Sequence, residues 1–186
     1  SPSTVDTIDF ITIASTANAV DFGNLTVARR ISNAASSPTR AFFAGGLTPT
    51  ILNTIDFVTI TSTGDALDFG DMSIPLYSAG AASSPIRAVI MGGHQPSSPN
   101  QTSQIQFLTI ATRGNTMNFG DLTEPISFAQ NVSDSIRAVR MGGVTPLDDS
   151  MDYINISTEG NAVYFGDLVP AVHKEGAGLS NAHGGL

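Results

Sequence analysis

The side chains best able to do chemistry in this chain recur at equivalent positions of similar segments. An arginine precedes an apolar run at Arg40, Arg87 and Arg137. A guanidinium binds carboxylates through paired hydrogen bonds, so the three could line a mouth that takes an anionic sugar or carboxylate. The alternative is an arginine fork that ties one structural unit to an aspartate of the next, and we favour this interpretation.

Carboxylates also recur around a repeated Phe-Gly dipeptide, at Asp68, Asp71, Asp121 and Asp167. They could be read as calcium ligands. Their occurrence in successive units fits better with hydrogen bonds to turn amides or to a neighbouring arginine. These aspartates and the three arginines are therefore the candidate ligand or inter-unit contacts.

Other reactive groups form no recognisable constellation. The histidines His94, His173 and His183 lie far apart at different repeat positions, which argues against a metal site. No Gly-x-Ser-x-Gly elbow occurs, and the double glycines end strands rather than open helices. Asp148, Asp149 and Asp152 are interpreted as a solvated linker. We therefore expect no catalytic, metal-binding or cofactor-binding residue, and a protein that is not an enzyme.

The composition of the chain limits the kinds of partner that it can bind. The chain has 186 residues, a net charge of −8 and a single lysine, so no basic patch is available to neutralise nucleic-acid phosphates. No apolar run reaches the roughly 18 residues that a membrane helix needs. Only 13% of residues are charged, so the polar surface must come mainly from Ser, Thr and Asn.

An internal repeat dominates the sequence. The Phe-Gly dipeptides begin at Phe22, Phe69, Phe119 and Phe165, at steps of 47, 50 and 46 residues. Periods of this length are typical of solenoids, propellers and arrays. We divide the single repeat domain, 1–186, into repeat 1 (7–53), repeat 2 (54–103), repeat 3 (104–150) and repeat 4 (151–186).

Each repeat predicts short strands. The run Thr54–Ile60 is β-branched or aromatic with apolar residues on both alternation phases, which indicates a strand covered on both faces. Turns at Gly64-Asp65 and its equivalents predict a hairpin. A segment with a proline, such as 74–79, is expected to be an outer edge strand, and a strand ending in two glycines closes the unit.

The predicted fold class is all-β: four repeats of about 47 residues, each a short antiparallel sheet, arranged as a small four-blade β-propeller or as an open blade array. The expected last strand of repeat 4, Leu179–His183, is poor strand material. Ring closure through this segment is therefore the weakest step. An unclosed array should oligomerise, because open sheets pair with other chains.

The pattern resembles two kinds of known repeat. Arg87–Gly93, followed by a linker, Ile105–Ile110 and Phe119-Gly-Asp, resembles a kelch blade, although the usual Trp is missing. The repeated Thr-Ile-Asp-Phe-Val-Thr-Ile, Gly-Asn and Phe-Gly-Asp-Leu-Thr more closely resemble repeats of virion structural and fibre proteins of tailed phages, especially phages of marine cyanobacteria.

The second resemblance implies a non-enzymatic protein exposed on the virion surface, as a fibre or decoration, with a role in host attachment or glycan binding. Its expected partners are other virion proteins, copies of itself and host-surface glycan, without cofactors, nucleic acid or membrane insertion. The alternative is a lectin-like, carbohydrate-binding propeller module of a cellular or secreted protein, with one pocket per repeat.

Overall fold

The computed structural model describes residues 3–144, 147–169 and 178. Within these ranges the chain is all β, and no helix that could cross a membrane is found there. The strands are β1 (Val5–Phe10), β2 (Val20–Arg29), β3 (Asn33–Ser36), β4 (Arg40–Ala44), β5 (Thr54–Thr59), β6 (Leu67–Asp71), β7 (Gly80–Ser83), β8 (Arg87–Met91), β9 (Gln104–Thr109), β10 (Met117–Asp121), β11 (Gln130–Ser133), β12 (Arg137–Gly143), β13 (Asp148–Asn155) and β14 (Val163–Asp167).

These strands form four antiparallel sheets in chain order. The first sheet pairs β1 with β2, and the second, third and fourth sheets have the orders β3-β4-β5-β6, β7-β8-β9-β10 and β11-β12-β13-β14. Each four-stranded sheet takes two strands from one sequence repeat and two from the next. The structural unit is therefore offset by about half a repeat from the sequence unit.

The apolar core lies between sheets. Phe42, Phe57 and Phe69 of the second sheet pack against Leu108 and Ile110 of the third sheet, and similar clusters join the other neighbouring pairs. We call each contact between successive sheets a seam. Doubly apolar strands such as β5 are buried on both faces because a seam covers each face.

A β-bulge explains the repeated Phe-Gly dipeptide. In the second sheet Asp68 pairs with Asp56 and Gly70 with Ile55, so Phe69 is the extra residue between the two pairs. The first, third and fourth sheets carry the same irregularity at the equivalent phenylalanine. A bulge re-aims a side chain locally, and at Phe69 it accompanies burial of the ring in a seam.

The expected edge strand at 74–79 is wrong. This segment is not a strand, and the next strand is β7, Gly80–Ser83, which lies beside the equivalent strands of neighbouring sheets. Tyr77 forms an isolated bridge with His94, but Pro75 lacks an amide donor and Ser78 has a φ of 52°, so the backbone turns here instead of continuing as a strand. Ile31 and Phe128 repeat this left-handed conformation at the same repeat position.

The double glycines allow a sharp turn and a close approach. Gly45 has a φ of 61°, and a side chain there would meet the Leu76 carbonyl oxygen at 2.2 Å. Gly92 has a φ of 63°, and a side chain there would meet the Ile126 oxygen at 2.6 Å. Only glycine combines this backbone conformation with so close a neighbour.

The described sheets do not close into a ring. The seams join the first to the second, the second to the third and the third to the fourth sheet, so the arrangement is an open array. The residues from which a closing strand was predicted, 179–183, lie outside the described residues.

Candidate functional site

The most regularly repeated contact in the described structure is the seam, which uses the same backbone hydrogen bonds three times. The Gly64 amide donates to the Phe22 oxygen at 2.7 Å, and the Ala66 amide donates to the Asn24 oxygen at 2.8 Å. The equivalent pairs join the second to the third and the third to the fourth sheet. The hairpin turn of one sheet is thus hydrogen-bonded to the outermost strand of the sheet before it.

Glycine is required where these backbones meet. A side chain at Gly23, Gly70 or Gly120 would approach the carbonyl oxygen of the facing turn glycine to 2.3–2.4 Å. The residue after that turn glycine completes the contact, since the Asn115 side-chain oxygen accepts from the Asp71 amide at 3.0 Å. Asp65 and Asn161 do the same for the neighbouring seams.

Each seam also encloses a polar side chain in the middle of an apolar strand. Asp56 is fully buried on β5, where it accepts from the Thr26 hydroxyl at 2.6 Å and from Arg29 at 2.7 Å. Burial lowers the pKa of the Arg29 guanidinium, and the Asp56 charge acts in the opposite direction. A buried acid paired in this way is a structural tie between sheets.

The equivalent residue of the third sheet is neutral. Gln106 is fully buried and accepts from the Ser73 hydroxyl at 2.8 Å and from the Thr116 hydroxyl at 2.7 Å. Its amide nitrogen donates to the Ile74 oxygen. An amide can satisfy these donors without a cation, so this seam needs no arginine.

The fourth sheet returns to an ion pair and corrects one expectation. Asp152 is buried and accepts from the Thr123 hydroxyl and from Arg140 at 2.6 Å, and Asp148 accepts from the same arginine at 2.8 Å. These acids are therefore not a solvated linker. Burial alone would raise the pKa of Asp148, but hydrogen bonds from Ser150 and Arg140 outweigh it and hold that pKa below its usual value.

Sequence interpretation missed Asp56, Gln106 and Asp152 as a group. The candidate charges flank the Phe-Gly dipeptides, whereas these three residues lie inside the apolar strand segments. A usable signal was present, because a polar residue flanked by apolar residues on both strand phases is expected to be buried and hydrogen-bonded, although the equivalent Asp9 of the first sheet is exposed. Arg29 and Arg140 sit at different repeat positions, which hides their common role.

The repeated arginines lie at the seams, and two of them reach the next sheet. Arg40 donates to the Ile110 oxygen at 2.6 Å, and Arg87 donates to the Ile156 and Ser157 oxygens at 3.3 and 3.2 Å. These acceptors are backbone carbonyls, and Arg87 also forms an ion pair with the Glu159 carboxylate of the next sheet at 3.5 Å, so neither arginine contacts the aspartate expected. Arg137 stacks its guanidinium 5.0 Å from the Tyr153 ring centroid, within its own sheet.

The repeated aspartates are dispersed along the array. Asp68 accepts from the Gly70 amide, and Asp121 accepts from the Ser103 hydroxyl at 3.2 Å. The backbone of Asp71 bonds to the next turn. Asp167 accepts from the Tyr164 hydroxyl and thereby raises the pKa of that phenol. The structure does not bring the seven repeated charges together at one point.

The first strands of the four-stranded sheets line a different feature, which we call the axial cleft. Its volume is about 470 Å³, and β3, β7 and β11 with the residues after them form its walls. Small and hydroxyl side chains dominate the lining; Ser83 donates to the Ser36 oxygen at 2.6 Å, and Ser133 donates to the Ser83 oxygen at 3.1 Å. The walls of adjacent sheets are therefore tied together by serines.

One carboxylate in the described lining carries charge, that of Asp134. It accepts from the amides of Arg137 and Ile136 at 2.6 and 2.7 Å, and these hydrogen bonds lower its pKa. No group of three or more His, Cys, Asp or Glu side chains suited to a metal occurs in the described part of the chain. The cleft thus offers hydroxyls, amides and one stabilised anion to a polar ligand.

Comparisons with known proteins identify the fold but no family. No protein-family model and no curated protein matches the chain. Among solved structures, that of YjhT superposes with a TM-score of 0.70 at 9% identity, over 89% of this chain and 60% of the other. The chain therefore spans about 60% of the length of that neighbour. At this identity the likeness concerns fold alone, and the described sheets form an open, β-propeller-like array.

Proposed function

We propose that this chain is a non-enzymatic surface protein of a tailed-phage virion, a fibre or decoration component that attaches to host-surface glycan through the axial cleft. The main support for this proposal is the cleft, which has a volume of about 470 Å³ and is lined by serines on and after one strand from each of three sheets. Ligand pockets of roughly 300–1,000 Å³ are common for small molecules. The virion assignment and its extracellular location draw support from the repeat resemblance described above.

The chemistry of the cleft suits a sugar. Ser36, Ser83 and Ser133 come from successive inner strands, and their side-chain and backbone oxygens alternate with small residues such as Ala34 and Ala81. Hydroxyls and amides bind neutral sugars by hydrogen bonds, and small side chains let the ring approach the backbone. Arg40, Arg87 and the buried acids join neighbouring sheets and remain structural in this proposal.

The test is a glycan panel and a host-cell binding assay with wild-type protein and Ser36→Trp. Ser36 is exposed at the cleft wall, so an indole there is expected to fill the cleft and abolish binding while far-ultraviolet circular dichroism stays unchanged. Ser97→Trp places the same side chain on an exposed loop residue away from the cleft and should bind like wild type.

Calorimetry separates this function from its alternative. One site per chain is expected from a single shared cleft, whereas several equivalent sites would favour the lectin-like module with a pocket in each repeat. Equal binding by wild type and Ser36→Trp would contradict the cleft, and absence of glycan and cell binding would leave only a decoration role. Other virion proteins and further copies of this chain are the proposed assembly partners.

A further inference from the structure

The two ends of the array carry opposite halves of a seam. Inside the array, each seam joins the outermost strand of one sheet to the hairpin and third strand of the next. The fourth sheet has the strand that would begin another seam, β14, and the first sheet has the hairpin that would complete one. Both halves can be compared with their buried equivalents.

The half-seam on the fourth sheet is exposed. Phe165 is 51% exposed, whereas its equivalent Phe119 is 3% exposed beneath the next sheet. A side chain at Gly166 would meet only the end of Met151, at 3.5 Å, although the equivalent glycines face a carbonyl oxygen at 2.3–2.4 Å. Arg137 is exposed, while Arg87 donates to carbonyls of the following sheet. Each feature marks a surface shaped for another sheet.

The half-seam on the first sheet is also exposed. Ile11 is 64% exposed, whereas its equivalent Leu108 is 2% exposed against the preceding sheet. Ile13 is 96% exposed, and its equivalent Ile110 is buried where Arg40 reaches its carbonyl oxygen. Asn18 occupies the position of Asn115, whose side chain caps the preceding strand.

We propose that the first sheet of a second copy docks on the fourth sheet of this chain and reproduces the internal seam. The inference rests on the self-association included in the proposed function and names its surface. Asn18 of one copy would cap the Asp167 amide of the other, Arg137 would donate to the Ile13 carbonyl oxygen, and Ile11 would cover Phe165. Three internal seams provide the template for the side-chain cap, and two of them provide it for the arginine contact.

One position makes this seam weaker than the internal ones. Val169 stands where Thr26, Ser73 and Thr123 donate a hydroxyl to the buried polar residue of the next sheet. Valine has no such donor, and among the described residues no arginine pairs with Asp9 as Arg29 and Arg140 pair with Asp56 and Asp152, so Asp9 of the docking copy would have fewer partners than either. The contact joins two different surfaces, so it is heterologous and either closes into a ring or continues along a filament.

The test blocks one end at a time. Ile11→Asp blocks the first sheet, and Phe165→Asp blocks the fourth sheet. We expect wild type to show concentration-dependent assembly in multi-angle light scattering and each variant alone to remain a single chain. A mixture of the two variants retains one intact pair of surfaces and should form heterodimers only. Leu67→Asp is the control, since Leu67 is 53% exposed on a strand whose seam is already filled.

Each outcome decides the proposal. Wild-type protein that stays a single chain at every soluble concentration would overturn it and assign the surface to another occupant, such as residues 170–186. Assembly of either variant alone, or failure of the mixture while circular dichroism shows both variants folded, would also overturn it. Glycan binding is measured on the same proteins. Wild-type protein that assembles but binds no glycan would reject the cleft function and would support the proposed seam.

Discussion

At the scale of single residues, the repeated glycines are seam residues rather than turn residues alone. Gly70 has a φ of 146°, and a β-carbon there would lie 2.4 Å from the Gly114 oxygen in the next sheet. Gly166 has nearly the same φ, 153°, but faces no backbone within the described residues. Both positions favour glycine because of their positive φ, but only at Gly70 would a side chain also clash with a neighbouring backbone.

This difference gives a matched prediction. Gly70→Ala and Gly166→Ala strain the backbone alike, but only the first overpacks a seam. We expect Gly70→Ala to lower the free energy of unfolding by about 1–3 kcal/mol more than Gly166→Ala. Urea denaturation in dilute solution, where chains are separate, measures both values. Equal losses would mean that the backbone conformation alone selects glycine.

At the scale of elements, the polar residue on the third strand of each four-stranded sheet is charged where an arginine pairs with it and neutral where none does. Asp56 has Arg29 from the preceding sheet, and Asp152 has Arg140 from its own sheet. Gln106 has no arginine within its hydrogen-bonding partners among the described residues. Buried charge therefore occurs where it is paired, and a neutral amide replaces it elsewhere.

The repeated arginines at the start of the second strands can be tested in the same paired way. Both Arg87→Ala and Arg137→Ala remove a contact to an aromatic ring of the same sheet, but only Arg87→Ala also removes donors to two carbonyls and to Glu159 of the next sheet. We expect Arg87→Ala to cost about 1–2 kcal/mol and to lower the melting temperature. Arg137→Ala in dilute protein should change it less. Equal melting temperatures for both variants would remove the inter-sheet role of Arg87.

At the scale of the whole molecule, stability should vary along the array. In such arrays each unit is stabilised by its own strands and by its neighbours. The third sheet has a seam on each side, whereas the first sheet has two described strands and one seam. The first sheet should therefore open most often.

Hydrogen exchange in dilute protein tests this gradient. The amides of β5 and β9 should exchange most slowly, because both strands are buried on both faces. The amides of β1, which is mostly exposed, should exchange fastest. Equal protection of β1 and β9 would show that the sheets open as one cooperative unit.

Sequence alone predicted the all-β class and the open-array alternative. Equivalent seams need the same residues at equivalent positions, so the repeated Phe-Gly dipeptide reveals them. It could not set the phase of the sheets, since a repeat has no intrinsic start and β3-β4 pairs with strands of the next repeat. The 74–79 segment was misplaced because its apolar residues mimic a strand while Ser78 turns the backbone. Asp56 was missed because its partner Arg29 is distant in sequence and has no counterpart in every repeat.

The partnership of Arg29 with Asp56 has a consequence for how such a gene can change length. Recombination between similar repeats that deleted the unit carrying Asp56 would set Arg29 against Gln106, which offers no carboxylate. A guanidinium stranded in this way costs about 3–5 kcal/mol. This repeat therefore cannot be lost by crossing-over without a cost in stability. A chain that has lost it should carry a compensating substitution at Arg29 or Gln106.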